Sequence, residues 1–586
     1  MKKYISLVLF SLLSWAVCAK DFPKVILAGD YPDPTILRDG KDYYMTHSPF
    51  YYAPGFLIWH SQDLEHWKPV CRAMAQWEGS AMAPDLVKYN NRYYIYYPAA
   101  GTNWVIWADD IRGPWSAPKD LKVNGIDPGH VADADGKRYL YLSEGKVVQL
   151  SDDGLSTVGE VKKVYDGWPY PRNWRTEGMY LESPKLNYHN GYYYLTSAEG
   201  GTAGPGTSHM VVTARSKSVL GPWENSPFNP LVHTYSERES WWSKGHGTLI
   251  DDVNGNWWVV YHAYAKGYHT LGRQTLIEPI EWTPDGWCRA KSTGTLPKAE
   301  VPIRHGLELS DDFQGTELGL QWTFWKEYAP KAVSIENRTL RLKAKGKTPA
   351  DGRLLLATAE DKNYETQVEV TVGKNNTAGL LLYYSEKAYA GLVSDGKTFT
   401  VYRHAGQKTE MPNTLGRQFT VRIKNQGNHV SISVGKDGKE WTTLAEGIDV
   451  SGMHHNAYKG FYALRIGLVS IGKGEAAFRR FRYKNAVPQE KDLSAYLMVF
   501  HKDETHGLYM ALSRDGYTFT ALNDGEPVLA GDTIAYQRGI RDPYIYRGPD
   551  GAFYLAMTDL HVFARRDGYR ETEWERDRNM YGWGNN

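Results

Sequence analysis

Cysteine is scarce in this 586-residue sequence, with only Cys18, Cys71 and Cys288 present. Three thiols cannot build a disulfide framework, and none has the spacing of a zinc motif, so Cys71 and Cys288 read as buried apolar residues. Net charge is almost absent too: 68 Lys and Arg face 67 Asp and Glu with no long run of one sign. That excludes electrostatic capture of nucleic acid or an anionic membrane and favours a neutral partner. Past the N-terminus no stretch approaches the roughly 20 apolar residues of a transmembrane helix. The one long apolar run, Ile5 to Val17, follows Lys2 and Lys3 and ends in Val17-Cys18-Ala19. It reads as a signal peptide over 1–19, with an exported mature chain, periplasmic or extracellular, from Lys20. Lipid attachment at Cys18 is a second reading, which Trp15 and Val17 fit poorly.

Aromatics are plentiful, 13% of residues with 42 Tyr and 21 Trp. They suit stacking on sugar faces and equally the packing of β-sheets. One theme recurs five times, a polar turn with Gly or Asn followed by an aromatic-rich strand: DGKDYYMTHS, YNNRYYIYYPA, DGKRYLYLSEG, HNGYYYLTSAEGG and VNGNWWVVYHAY. The leading aromatics, Tyr43, Tyr93, Tyr139, Tyr192 and Trp257, recur at intervals of about 46 to 65 residues, which suits one four-stranded blade per copy. The expectation is an all-β chain whose residues 20–303 form a five-bladed β-propeller, with polar groups converging on its axis. Short alternating segments over 304–487 predict an antiparallel β-sandwich. DGAFYLAMTDL is a sixth copy of the blade theme, so 488–586 reads as an incomplete second propeller.

Cleaving a glycosidic bond with inversion takes one carboxylate to activate water and a protonated carboxyl on the opposite side of the sugar. Asp33 in YPDP sits between prolines that restrict the backbone, although a plain turn aspartate is the commoner use of such a motif. Glu182 in LESPKL precedes the fourth-blade strand among apolar neighbours able to raise its pKa, with Glu177 in RTEGMYL as a rival acid. Asp127 in GIDPGH lies ahead of the third-blade strand, where its charge could tune the acid or simply serve a turn. Matching placement on three blades is what makes the three carboxylates candidates together.

The segments YPDPTILRDGKDYYMTHSPF, GIDPGHVADADGKRYLYLSEG and ESPKLNYHNGYYYLTSAEGGT resemble the base, modulator and acid motifs of glycoside hydrolase family 43, the inverting five-bladed propeller enzymes. The resemblance implies Asp33 as general base, Asp127 as pKa modulator and Glu182 as general acid. Ser183 replaces the usual glycine, and only Glu182 directly precedes the motif's Ser-Pro, which favours it over Glu177. MAPDLV resembles a Trp-Ala-Pro-Asp segment with Met82 in place of the aromatic and Asp85 structural. His246 stands where the family has an axial histidine, beside a metal ion, calcium, held largely by water. A core histidine with a satisfied hydrogen bond is the alternative. Arg273 resembles the arginine that β-xylosidases bring to sugar hydroxyls, a surface or structural salt bridge being the commoner use of such a residue; Trp77 is a candidate apolar wall. SDDFQGTELGLQWTFW resembles the concanavalin-like C-terminal domain of those β-xylosidases, which narrows the pocket and favours exo cleavage. Asp542 in the tail stands where related propellers keep a stabilising aspartate. The implied activity is release of a terminal pentose, β-D-xylose or α-L-arabinofuranose, from plant-derived oligosaccharides, with no cofactor required. A galactose-releasing enzyme with the same machinery and a non-catalytic glycan binder are the alternatives.

Overall fold

The computed structural model describes residues 22–75, 78–291, 306–486, 495–513, 518–534, 537–548, 552–563 and 568. Two compact units divide the chain, residues 1–486 and 487–586.

In the first unit five antiparallel blades follow one another. Their innermost strands are Thr35–Asp39, Asp85–Tyr89, Gly129–Ala132, Glu182–His189 and Trp241–Asp251, and each opens a sheet of four or five strands. The recurring aromatic segments form the second strand of each blade: Asp42–Thr46, Arg92–Ala99, Arg138–Leu142, Tyr192–Glu199 and Trp257–Ala265. Seven of the eight residues of Arg92–Ala99 are buried. Blades cover one another on both faces, so a Tyr or Ile is accommodated on either side of the pleat. The fourth strand in line in the fifth blade is Lys24–Leu27, paired with Arg273–Trp282 through Lys24↔Ile277. The earliest described strand thus completes the last blade and closes the ring.

Residues 306–486 build two sheets, of eight and seven strands, around a core that includes Leu342, Leu355, Leu380, Val421, Ile432, Leu468 and Phe478, each fully buried. One edge of the eight-stranded sheet is supplied by the propeller: Tyr52–Ala53 pairs with Thr323–Trp325. The sandwich reaches one end of the propeller through residues 454–465. There the Leu464 amide donates to the Thr270 carbonyl (2.8 Å), Asn456 exchanges two 3.2 Å hydrogen bonds with the Gly204 backbone, and Arg465 Nη2 lies 3.2 Å from Asp30 Oδ2. These polar ties fix the sandwich loop relative to the propeller ends.

The second unit contains the sheet Tyr496–Lys502, Gly507–Ser513 and Thr520–Ala521 and the hairpin Ile540–Arg547 with Phe553–Asp559. Asp542 has the left-handed φ of 48°, and its amide donates to His501 Nδ1 (3.2 Å).

Candidate active site

A residue with positive φ stands at or just before the start of four inner strands, Asp33 (56°), Ala83 (38°), Asp127 (55°) and Ser183 (56°), and at an irregularity in the middle of the fifth, His246 (55°). Proline follows the first four and Gly247 the last. Non-glycine residues adopt this backbone rarely, and its recurrence around one axis turns five chains inward at the same level. Local backbone chemistry therefore delivers Asp33, Asp127 and His246 to the axis, together with Glu182 one residue before Ser183.

Beneath this layer Lys185, 3% exposed, spends all three ammonium protons: on Asp85 Oδ1 (2.9 Å), the Pro84 carbonyl (2.9 Å) and the Pro128 carbonyl (3.1 Å). Asp85 also accepts from the His130 amide (2.7 Å). The pair ties the second, third and fourth blades at the axis and sets the spacing of the carboxylates above it.

Asp33 is buried and held by several partners. Arg273 donates through Nη1 to Oδ1 (2.7 Å) and Nη2 to Oδ2 (3.4 Å), and Ser48 Oγ donates to Oδ2 (2.5 Å). Ser48 Oγ in turn accepts the Ala83 amide of the next blade. The Asp33 amide donates to His262 Nδ1 (3.1 Å), which fixes the lone pair on that nitrogen and leaves Nε2–H for Thr202 Oγ1 (3.1 Å). Burial acts to raise the Asp33 pKa, but the Arg273 guanidinium, with His246 and His262 beside it, outweighs burial and holds the carboxyl well below the usual range.

Glu182 is placed oppositely. Its side chain keeps a fifth of its surface open, and its near neighbour is His209, whose Nε2 lies 3.2 Å from Oε1. Burial, and next the charge of Asp33, push Glu182 up to about 8, against the pull of Arg273. Burial also takes His209 down to about 3, so it is neutral and offers Glu182 no compensating charge. The His209 ring occupies the space left by Gly245, where an added Cβ would lie 2.2 Å from Nδ1. Asp127 is likewise raised, by burial and then by Glu182. Only one of these two adjacent carboxyls can lose its proton cheaply, and Asp127 has the better support, from the Ser183 amide on Oδ2 (3.1 Å) and the charge of Lys185. The Ser183 amide and Lys185 thus favour ionisation of Asp127, which leaves Glu182 the better placed to hold a proton.

One side chain of each of Asp33, His246 and His262 offers a ligand atom, all within 4.8 Å of one another. Calcium takes six to eight oxygen ligands. Here two of the three donors are imidazole nitrogens, His262 Nδ1 is taken by an amide, and the Asp33 carboxylate already binds a guanidinium. These side chains alone form no oxygen cage, so a calcium beside His246 would take most of its ligands from water, as the resemblance implies. His246 places Nδ1 3.5 Å from Asp33 Oδ1 and leaves Nε2 without a partner among the described residues. Arg273 shows the salt bridge named as the alternative for it. Both its terminal nitrogens engage Asp33, and its guanidinium carbon lies 5.1 Å from the Phe461 ring centre of the sandwich and 5.7 Å from that of Phe50.

A family model described as "Glycosyl hydrolases family 43" matches residues 22–288, and one described as "Beta xylosidase C-terminal Concanavalin A-like domain" matches 310–484. A non-reducing end alpha-L-arabinofuranosidase of Bacteroides ovatus is 31% identical over 540 residues, covering 81% of this chain and 97% of its own length. The chain belongs to glycosyl hydrolases family 43. A xylan 1,3-beta-xylosidase of a Vibrio species is 30% identical, covering 62% of this chain and 77% of that protein. The solved xylan beta-1,4-xylosidase of Bacillus halodurans superposes with a TM-score of 0.71 at 27% identity, over 79% of this chain and 100% of that one. A further model, "Probable glycosyl hydrolase domain", matches 491–586.

Of the family 43 residues expected from sequence, Asp33, Asp127, Glu182, His246 and Arg273 meet at the axis. Trp77 lies outside the described residues, as do the segment 1–19 and Cys18. Glu177 is exposed and accepts the Ala203 amide (2.8 Å), which ties it to the neighbouring loop rather than to the axis. Sequence reasoning missed Ser48, His209 and His262. His262 lies on the second strand of the fifth blade, paired with Gly245, Ser48 just past the second strand of the first, its amide donating to the Pro32 carbonyl, and His209 just before the third strand of the fourth.

Proposed function

We propose that this protein is an exo-acting, inverting glycoside hydrolase that releases a terminal pentose, β-D-xylose or α-L-arabinofuranose, from plant-derived oligosaccharides. The observation that carries the reading is the opposite polarisation of two carboxyls in one site: Asp33 held ionised, Glu182 held protonated near neutrality. Asp33 takes a proton from water as its oxygen attacks the anomeric carbon. Glu182 gives its proton to the departing glycosidic oxygen, and both then exchange with solvent. Asp127, pinned by the Ser183 amide, keeps a negative charge beside Glu182 and so keeps the proton there until transfer. His209 fills the space behind the acid, and Ser48 and Arg273 orient the base.

The pentose assignment is supported by the names of relatives, an arabinofuranosidase acting at non-reducing ends and two xylosidases. Exo action is supported by the sandwich segment carrying Asn456 and Phe461, which walls one side of the site. No cofactor takes part in this mechanism, and export through the N-terminal segment would bring the enzyme to its substrate. The test is hydrolysis of aryl β-D-xyloside, α-L-arabinofuranoside and β-D-galactoside with the first-formed anomer followed by NMR. Inversion on one pentoside is expected; retention of configuration removes the assigned roles, and exclusive galactoside activity replaces the sugar.

A further inference from the structure

The segment leading into the acid carries an aromatic ring that no catalytic step uses. Tyr180 stands two residues before Glu182 and is 54% exposed. Its ring rests on glycine: a Cβ added to Gly178 would lie 2.6 Å from Tyr180 Cε2, and one added to Gly201 would lie 2.8 Å from Cδ2. Two backbones without side chains thus make a floor for one side of the ring. Among the described residues no other aromatic ring stacks on Tyr180, and its neighbour Met179 is 70% exposed.

The floor is continuous with the active site. Gly201 is followed by Thr202, whose Oγ1 accepts from His262, the histidine held by the backbone of the base. Leu181, between the platform and the acid, packs into the core beside blade three, and its carbonyl accepts the Glu144 amide (2.8 Å). Tyr180 and Glu182 flank Leu181 in the chain, and Gly201, which the Tyr180 ring covers, also lies against Glu177, whose charge reaches Glu182. Chemistry then says what lies there. The acid protonates the glycosidic oxygen, so the sugar that leaves with that oxygen must sit on the acid's side of the scissile bond.

We propose that Tyr180 is the stacking platform for the leaving-group sugar. This rests on the hydrolase reading above and adds where the second ring of the substrate is held. A flat ring supported from below and open above binds the apolar face of a pyranose with little entropy cost, since Tyr has only two side-chain torsions and these are already restrained by the glycine floor.

The experiment compares a substrate that has a leaving sugar with one that has none: xylobiose, or α-L-arabinofuranosyl-xylose, against the glycosyl fluoride of the same pentose. In Tyr180→Ala the ratio of kcat/KM for disaccharide over fluoride should fall about ten-fold, equivalent to about 1.4 kcal/mol. Tyr180→Phe, which keeps the ring, should hold the ratio within about two-fold of the parent. A ratio unchanged in Tyr180→Ala overturns the proposal, as does an equal fall in Tyr180→Phe, which would point to the hydroxyl. Affinity for the same disaccharide, measured by calorimetry in the Asp33→Ala protein with and without Tyr180→Ala, separates the two readings. A parent that hydrolyses nothing but loses about ten-fold in disaccharide affinity with Tyr180→Ala keeps the platform and loses the hydrolase. No loss of affinity discards the platform whatever the activity.

Discussion

The two sides of the propeller axis hold the same functional group in opposite states. On the side of blades one and five, Asp33 meets a guanidinium, a hydroxyl and its own amide-anchored histidine, and burial is overcome. On the side of blades three and four, Glu182 meets a neutral imidazole, and burial, aided by the charge of Asp33, prevails. The lesson is that neither carboxyl is made acid or base by its own strand. The difference lies in what the adjacent blades bring to each, and substitutions of those partners should move one side without the other.

The largest expected effects come from the carboxyls themselves. Asp33→Asn should reduce kcat by about 10²- to 10⁴-fold on every substrate, because water activation is needed whatever the leaving group. Glu182→Gln should lose as much on an alkyl glycoside but far less on a 2,4-dinitrophenyl glycoside, whose leaving group departs without a proton. Steady-state kinetics across leaving groups checks this. Equal sensitivity of both variants to leaving-group acidity would erase the assigned asymmetry.

Next comes Arg273→Met. Removing one partner of a buried, hydrogen-bonded pair costs about 3–5 kcal/mol of stability, visible as a lower denaturation midpoint. Its kinetic signature is directional. Arg273 lowers the pKa of Asp33 and, more weakly, that of Glu182. Without it both rise, so activity should fail at a higher pH on the acid side, where the base becomes protonated, and persist to a pH beyond about 8 on the alkaline side, where the acid loses its proton. A pH profile of kcat/KM that narrows rather than moving upward would show that Arg273 does not act through charge.

His209→Phe and Gly245→Ala should act on the acid side alone, by about ten-fold on substrates with poor leaving groups and little on activated ones. The two changes are chemically unrelated, the second acting by driving an added methyl into the His209 ring. Agreement between them in the leaving-group comparison, with the acidic limb unmoved, is the expected outcome. Loss on activated substrates as well would assign His209 to the fold at large.

Much of this arrangement can be read from sequence because proline marks it. Asp33-Pro34, Asp127-Pro128 and Ser183-Pro184 each announce the inward turn of an inner strand, and the aromatic second strand follows at a short interval. Ser48 and His262 carry no such marker. They come into view only by counting register back from the hairpin turns: Asp39↔Asp42 and Thr35↔Thr46 put Ser48 level with Asp33. Closure of the fifth blade by Lys24–Leu27 and the joining of Tyr52–Ala53 to the sandwich are less legible still, because those strand partners lie hundreds of residues away with no local signature. His246 shows the same limit. A histidine at the axis can be recognised locally, but nothing local says that Arg273 already supplies the positive charge beside Asp33.

The smallest effect, and the finest discrimination, is expected of Ser48→Ala. The change removes one hydrogen bond to Asp33 Oδ2 and leaves the Ala83 amide of the next blade without its acceptor, worth about 1–3 kcal/mol between them. Arg273 remains in place, so Asp33 should stay ionised and the acidic limb of the pH profile should rise only slightly, with kcat reduced a few-fold (about 1 kcal/mol). The comparison with Arg273→Met decides what holds the base. If charge dominates, Ser48→Ala must fall well short of Arg273→Met in its effect on the acidic limb. If the two are equal, the clip between blades one and two, rather than the guanidinium, sets the state of Asp33.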